Sequence, residues 1–264
     1  MYKARKTVNK VSQVVTAIAI LAMALAVGPF LRLAEAANPP VYVDYELDKS
    51  SLSRSDAVFS HSVASGPYRL LVVAVMIRGD GEVNSITYSG ELLTLAKAQD
   101  GGGSDQQRVE LWYRVNPPVG TANVIVHFAS SVNPSGIAAV NFTGVDQSSP
   151  IGATDGASST SATNNATTNI TTGSDDSLIF GAVSAHGGDI DDFISGTNIT
   201  ELWDDDTGTD DATNDDSLWG GGLERPTAGT YTFNATFSPG RNWAIACLEL
   251  KAAHAPAFSS ISPD

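Results

Sequence analysis

The residues with the most chemical potential crowd into one stretch, "HGGDIDDFISGTNITELWDDDTGTDDATNDD", residues 186–216. It holds Asp189, Asp191, Asp192, Glu201, Asp204, Asp205, Asp206, Asp210, Asp211, Asp215 and Asp216, and no Lys or Arg. Carboxylates packed this densely repel one another; they must be spread through water, protonated in part, or neutralised by a cation. Oxygen ligands on loops suit Ca²⁺ better than Zn²⁺, which favours His and Cys. No calcium-loop pattern is met, because no Gly stands sixth after a leading Asp and "GGDIDD" does not satisfy the nonapeptide repeat. Composition alone therefore makes Ca²⁺ the expected cofactor. Its candidate ligands are Asp189, Asp191, Asp204, Asp205, Asp206, Asp210, Asp211, Asp215 and Asp216, against the plainer reading of a solvated acidic loop.

Other chemistry is thin. His61, His127, His186 and His254 form neither an H-x-H nor an H-E-x-x-H spacing. His186 reads as a strand-end surface residue despite Asp189 close by. No G-x-S-x-G elbow is present, and no two carboxylates are singled out as a glycosidase pair. An enzyme is not expected. Trp112, Trp219 and Trp243 fall in strand patterns and read as core, whereas Trp203, directly before Asp204, is the candidate for an exposed sugar-stacking ring. Five N-x-T sites, at Asn141, Asn165, Asn169, Asn198 and Asn234, would permit surface glycosylation. Cys247 lies in "NWAIACLELK" and reads as a buried structural thiol; as the sole cysteine it excludes an internal disulfide.

The elements that must position these residues are short β-rich runs separated by Gly, Pro, Asn, Asp and Ser, with no amphipathic helical stretch of useful length. The runs come in two series. Leu71 matches Ile179 at an offset of 108, Trp112 matches Trp219 at 107, Gly120 matches Gly229 at 109, and Ala138 matches Ala246 at 108. Two such units suit a sandwich, so the expected fold is all-β: a jelly-roll-like antiparallel β-sandwich over residues 57–251 built from two similar half-motifs. Neither half is expected to be stable alone, since each would leave a sheet face uncovered. "LLVVAV" and "LIFGAV" are continuously apolar, as strands covered on both faces are. The Ser/Thr/Asn/Ala-rich stretch 150–170 is expected to be an exposed crossover between the halves, and residues 252–264 a tail.

The runs "RLLVVAV", "ITYSGELLT", "ELWYRVNPPVGTANVIV", "FTGVDQSSPIG" and "NWAIACLELK" resemble a recurrent, poorly characterised domain of exported microbial proteins. The resemblance covers residues 57–251 and implies the fold; it brings no catalytic residues. In plan, the chain is also similar to subunits of microbial extracellular filaments and tubes.

The beginning of the chain supports export. Residues 1–36 have a basic start, an apolar run from Val11 to Leu31 and an A-x-A exit at "AEA", the marks of a secretory signal cleaved after Ala36; uncleaved, the run would be a membrane anchor or a pilin-type assembly helix. The whole chain has 15 basic and 29 acidic residues. Removing the first 36 takes five bases and one acid, leaving 10 and 28, a formal charge of −18. Nucleic acid is excluded as a partner, because a phosphate-binding surface needs clustered Lys and Arg.

After Ala36 the chain reads "ANPPVYVDYELD". Val41, Val43 and Tyr45 alternate with polar residues and Tyr42, as a half-buried strand would, and Pro39-Pro40 hold off pairing until Val41. Such a strand, part of an extended segment over 37–56, either completes its own sheet or leaves to complete a neighbour's. The leading expectation is thus a secreted or cell-surface structural protein whose partners are copies of itself. The alternative is a calcium-dependent module binding extracellular glycans.

Overall fold

The computed structural model describes residues 39–79, 81–101, 106–190, 192–208, 214–225 and 227–254. Their regular structure is entirely β and antiparallel, the sandwich class expected from the strand-period runs. The first repeat supplies β1 (Val41–Ser50), β2 (Arg54–Val63), β3 (Leu70–Arg78), β4 (Val83–Tyr88), β5 (Glu91–Leu92), β6 (Thr94–Asp100), β7 (Gln107–Val115), β8 (Gly120–Val132) and β9 (Ser135–Thr143). The second supplies β10 (Ile151–Thr172), β11 (Ser177–His186), β12 (Ile194–Ser195), β13 (Thr200–Asp206), β14 (Asp216–Arg225) and β15 (Gly229–Leu250).

Pairing repeats with the sequence. In the first half one sheet runs β1-β9-β3-β7-β6 and a second runs β2-β8-β4-β5. In the second half the order β10-β15-β11-β14-β13 reproduces the first of these. The long strands β10 and β15 each shift register between Ser159 and Asn165 of β10, and beyond that shift their far portions pair again, Asn165 with Thr236 through Thr172 with Gly229. These far portions, with β12 beside β15, stand where β2, β8 and β4 stand in the first half. The stretch 150–170, expected as a crossover loop, is therefore strand β10. Thr and Ser are β-compatible, and the inward Ala166 and Ile170 give its far portion an apolar face.

The duplication adds layers rather than contributing one sheet each. Leu71, Val73, Val75, Ile77 and Trp112 pack outward against Ile86, Tyr88, Val124 and Val126 in a core belonging to the first half alone. Ile179, Val183, Trp219, Ile245 and Cys247 do the same against Ile170, Phe233 and Phe237 in the second. Between the halves lies a third core, in which Leu70, Val72, Ala74, Met76, Val140 and Phe142 meet Leu178, Phe180, Ala182, Ala246, Leu248 and Leu250. Alternate residues of β3 and β11 thus face different cores, which is why both strands read as unbroken apolar runs. The matched pairs obey the duplication: Leu71 and Ile179 lie in outer cores, Ala138 and Ala246 in the shared one.

The halves meet as subunits of a symmetric dimer do, edge over opposite edge. Tyr45 of β1 lies 5.7 Å from Trp203 of β13. At the other side, a side chain on Gly156 of β10 would meet Gln99 and Lys97 of β6. At the seam, a Cβ on Gly136 would stand 2.2 Å from Leu218, so glycine is what allows this approach. The sandwich also takes in residues 41–56: β1 pairs β9 and β2 pairs β8.

Candidate functional site

The acidic end of the second half is built from the C-terminal end of β11, the loop after it, β13 and the start of β14. Asp189, Asp204, Asp205, Asp206 and Asp216 each accept a hydrogen bond or form an ion pair with a donor of the same chain. Asp189 accepts from Arg241 Nε at 3.1 Å and forms an ion pair with that guanidinium, which holds its carboxyl below the usual range. Asp205 pairs with Lys49 on β1 and also accepts from the Asp206 backbone N–H. Asp206 accepts from Gly208 N–H at 2.8 Å.

Asp204 accepts from Phe193 N–H at 2.7 Å. Desolvation by the surrounding loop, with Glu201, Asp192 and Asp205 nearby, pushes its carboxyl up to about 6 against that bond.

Asp216 is the most constrained. It is fully buried, and its Oδ1 accepts from Arg78 Nη2 at 2.9 Å, Arg78 Nε at 3.0 Å and Gln107 Nε2 at 3.4 Å. Oδ2 finds no hydrogen-bond partner, and burial raises the carboxyl to about 7 despite the opposing guanidinium. Asp215 is buried beside it, its backbone carbonyl accepting from Gly187 N–H at 2.8 Å and from Arg78. Asp191, Asp210 and Asp211 lie outside the described residues. Among the described residues no group of three or more His, Cys, Asp or Glu converges as a metal cage would.

Trp203 is not an exposed platform. It is 3 % exposed and packs in the central core against Tyr45 and Phe180, the latter at 6.0 Å. The register shift between Glu201 and Trp203 turns the ring inward over Gly220, where a Cβ would stand 2.1 Å from the indole. The chain's Gly220-Gly221-Gly222 run was the available signal for a large ring facing that strand.

The assembly strand is also corrected in its details. β1 starts at Val41, where the two prolines end, and pairs with β9 of its own chain. A bulge between Tyr42 and Asp44 breaks the alternation, leaving Val41 and Val43 exposed. Tyr42, Tyr45 and Leu47 are the residues that pack on the shared core. Two further ties hold the strand: Lys49 to Asp205, and Asp44 accepting from Asn141. β1 lies at the end of its sheet, with β9 on one side.

Two buried carboxylates had no sequence reading. Glu110 accepts from Trp112 Nε1 at 2.8 Å, Arg108 Nε at 2.7 Å and Val83 N–H at 3.2 Å. Glu249 accepts from the backbone N–H groups of Ala153, Gly173 and Ser174. Each stands as a lone acid in an apolar strand, "RVELWY" and "CLELK", a pattern that marks a satisfied buried group. Cys247 is fully buried, and burial pushes its thiol up to about 12, as an unreactive core residue requires.

No family model matches the chain, no curated protein matches it, and no solved structure matches its fold.

Proposed function

We propose that the protein is an exported structural subunit that assembles with copies of itself by exchanging β1. The observation that carries this reading is the placement of β1. It is an edge strand that packs Tyr42, Tyr45 and Leu47 against the core shared by both halves. The slot it fills, between the edge of β9 and the ring of Trp203, is made by the rest of the chain, so an identical strand from a neighbour fits it equally well. With cleavage after Ala36, β1 is tethered only through residues 51–53. Pairing in trans also covers sheet edges that would otherwise aggregate without order.

Trp203 gives no support to the glycan-binding alternative, because its ring is in the core. Calcium forms no part of the proposal; Arg241, Lys49 and Arg78 stand as the counter-charges of Asp189, Asp205 and Asp216.

A disulfide trap tests the exchange. Val41 stands opposite Thr143 in the antiparallel pair. In Val41→Cys/Thr143→Cys the buried Cys247 stays out of the chemistry. Oxidation of the assembled mature protein is expected to give a ladder of covalent multimers on a non-reducing gel. A single crosslinked monomer band under assembling conditions would overturn the proposal.

A further inference from the structure

The far portions of β10 and β15 present an outer face on which every described outward residue is Thr or Asn. On β10 these are Asn165, Thr167, Asn169 and Thr171; opposite them in register stand Thr236, Asn234, Thr232 and Thr230. The inward residues Ala166, Ile170, Phe233 and Ala235 are buried in the second half's core. A chain of formal charge −14 has thus left this exposed stretch of sheet without a single ionisable group.

The sequons account for the pattern. In a strand, residues i and i+2 share a face, so an N-x-T triplet puts its Asn and its Thr side by side. Asn165-Ala-Thr167, Asn169-Ile-Thr171 and Asn234-Ala-Thr236 supply six of these eight residues. A fourth, Asn198-Ile-Thr200, sits in an exposed turn with a left-handed backbone at Asn198, φ 62°. The fifth, Asn141, is different. It is 4 % exposed, its Nδ2 donates to the Ser62 carbonyl at 2.8 Å and to Asp44, and its Oδ1 meets His61 Nε2 at 3.1 Å.

Hydrogen bonding ranks the sites on the face. Asn169 accepts from Thr232 Oγ1 at 2.9 Å and Asn165 accepts from Asn234 Nδ2 at 3.3 Å. Both bonds use Oδ1 and leave the Nδ2 of Asn165 and Asn169, the atom a sugar is joined to, without a hydrogen bond, and both residues are exposed. Asn234 spends its Nδ2 on Asn165, is half-buried, and has Gly196 so close that a Cβ there would stand 2.1 Å from its Oδ1. Asn165 and Asn169, four residues apart on one strand, are separated by roughly 13 Å, enough for a glycan on each. Asn234 lies between them on the neighbouring strand, where a third would collide.

We infer that Asn165, Asn169 and Asn198 are N-glycan acceptors and that this sheet face is the glycan-covered side of the molecule, while Asn234 and Asn141 stay bare. The donor class is an oligosaccharide on a lipid pyrophosphate, handled by the transferase of an export pathway. Nδ2 forms a bond to the anomeric carbon, the bond from that carbon to the pyrophosphate oxygen breaks, and one amide proton is lost as the lipid pyrophosphate departs. The inference rests on the export reading above.

The test is secretion of the full chain from a host that N-glycosylates N-x-T sites, once with residues 1–36 and once with an unrelated cleaved leader in their place. Peptide mass mapping before and after enzymatic deglycosylation should find glycan at Asn165, Asn169 and Asn198 and none at Asn141 or Asn234. Thr167→Ala should remove one glycan mass while leaving Asn165 in place, and Asn165→Gln should remove the same mass. Secreted, folded protein that is bare at Asn165 and Asn169 overturns the inference and leaves the export reading standing. Retention with its own first 36 residues, but modification at the three sites with the substitute leader, defeats the export reading and not the acceptor sites. Full occupancy at Asn234 as well overturns the ranking argument.

Discussion

The two halves share one strand order and have parted company on their surfaces. Residues 41–145 carry 7 basic and 10 acidic residues; residues 146–254 carry 3 and 17. The outer face of β2 and β8 is mixed, with Asp56 hydrogen-bonded to His127, Val58 opposite Ile125, and Ser62 bonded to Thr121. The corresponding face of β10 and β15 is Thr and Asn throughout, with the exposed Ile194 of β12 at its side. Inside, the correspondence holds: Leu71 and Ile179, Trp112 and Trp219, Ala138 and Ala246 keep equivalent places. Packing volume constrains a core tightly, whereas an exposed position is free to change its chemistry. What the second half gave up in cations it recovers across the seam, since Arg78 and Lys49 of the first half meet Asp216 and Asp205 of the second.

The sharpest way to break the comparison is to separate the halves. Each has its own outer core, but each alone would bare an inner sheet face, with Leu70, Val72, Met76 and Phe142 on one side and Phe180, Leu248 and Leu250 on the other. Expressed apart with the break between Ser148 and Ser149, just ahead of β10, both halves are expected to aggregate or remain unfolded, and to recover structure only when co-expressed. Two soluble halves with independent cooperative melts would mean that the shared core is an ordinary interface between finished domains.

Next in size is Trp203. Its removal empties the shared core under β1, so Trp203→Ala should cost about 3–5 kcal/mol, measured by urea unfolding. An exposed stacking ring would cost almost nothing, so this variant also separates the sequence expectation from the observed position.

That difference indicates what a sequence carries and what it hides. The all-β class, the doubling and the apolar central strands were legible because period and composition follow from which faces are covered. The placement of Trp203 and of Val41 and Val43 was not, since each depends on a bulge that shifts the alternation by one residue. The acidic end was legible only as a charge problem. Its solution involves Arg78 and Lys49, which lie 138 and 156 residues away from the acids they meet. The Thr and Asn face was half legible: the sequons could be read, but not that three of them share one sheet face while Asn141 is buried.

The seam ion pair can be probed by making one half unable to support the other. Arg78→Met leaves the Asp216 carboxylate buried beside Gln107 alone, a loss of about 3–5 kcal/mol where that carboxylate is ionised. The cost should shrink as pH falls and Asp216 takes up a proton. Urea midpoints at pH 5 and pH 8 read this directly. An equal cost at both values would show that Asp216 is not the group that Arg78 serves.

The same groups set the pH profile of the unaltered protein. Asp216 and Asp204 hold their protons to about 7 and about 6, whereas in the unfolded chain both release them near the ordinary carboxyl value. Between roughly pH 4 and pH 7 the native state therefore binds more protons than the unfolded state, and stability falls as pH rises. Asp189, Asp56 and Asp146 act in the opposite sense. Arg241 holds the first of these low, hydrogen bonds from His127 and Ser55 the second, and those from Ser149 and Ser148 the third. Their stabilisation is present above the ordinary carboxyl value and is lost as pH falls through their lowered values. The two trends cross, so thermal stability should peak near pH 4–5 and decline toward pH 8, most of the loss falling below pH 7. Asp216→Asn should flatten the decline, because the amide keeps a neutral group at the seam at every pH. Both raised groups belong to the second half, so replacing titratable groups on the first half's outer face, as in Asp56→Asn, should leave the decline above pH 5 unchanged. A profile that instead rises from pH 5 to pH 8 would mean that the carboxylates of the acidic end are stabilised as anions, which is the behaviour a bound cation would impose.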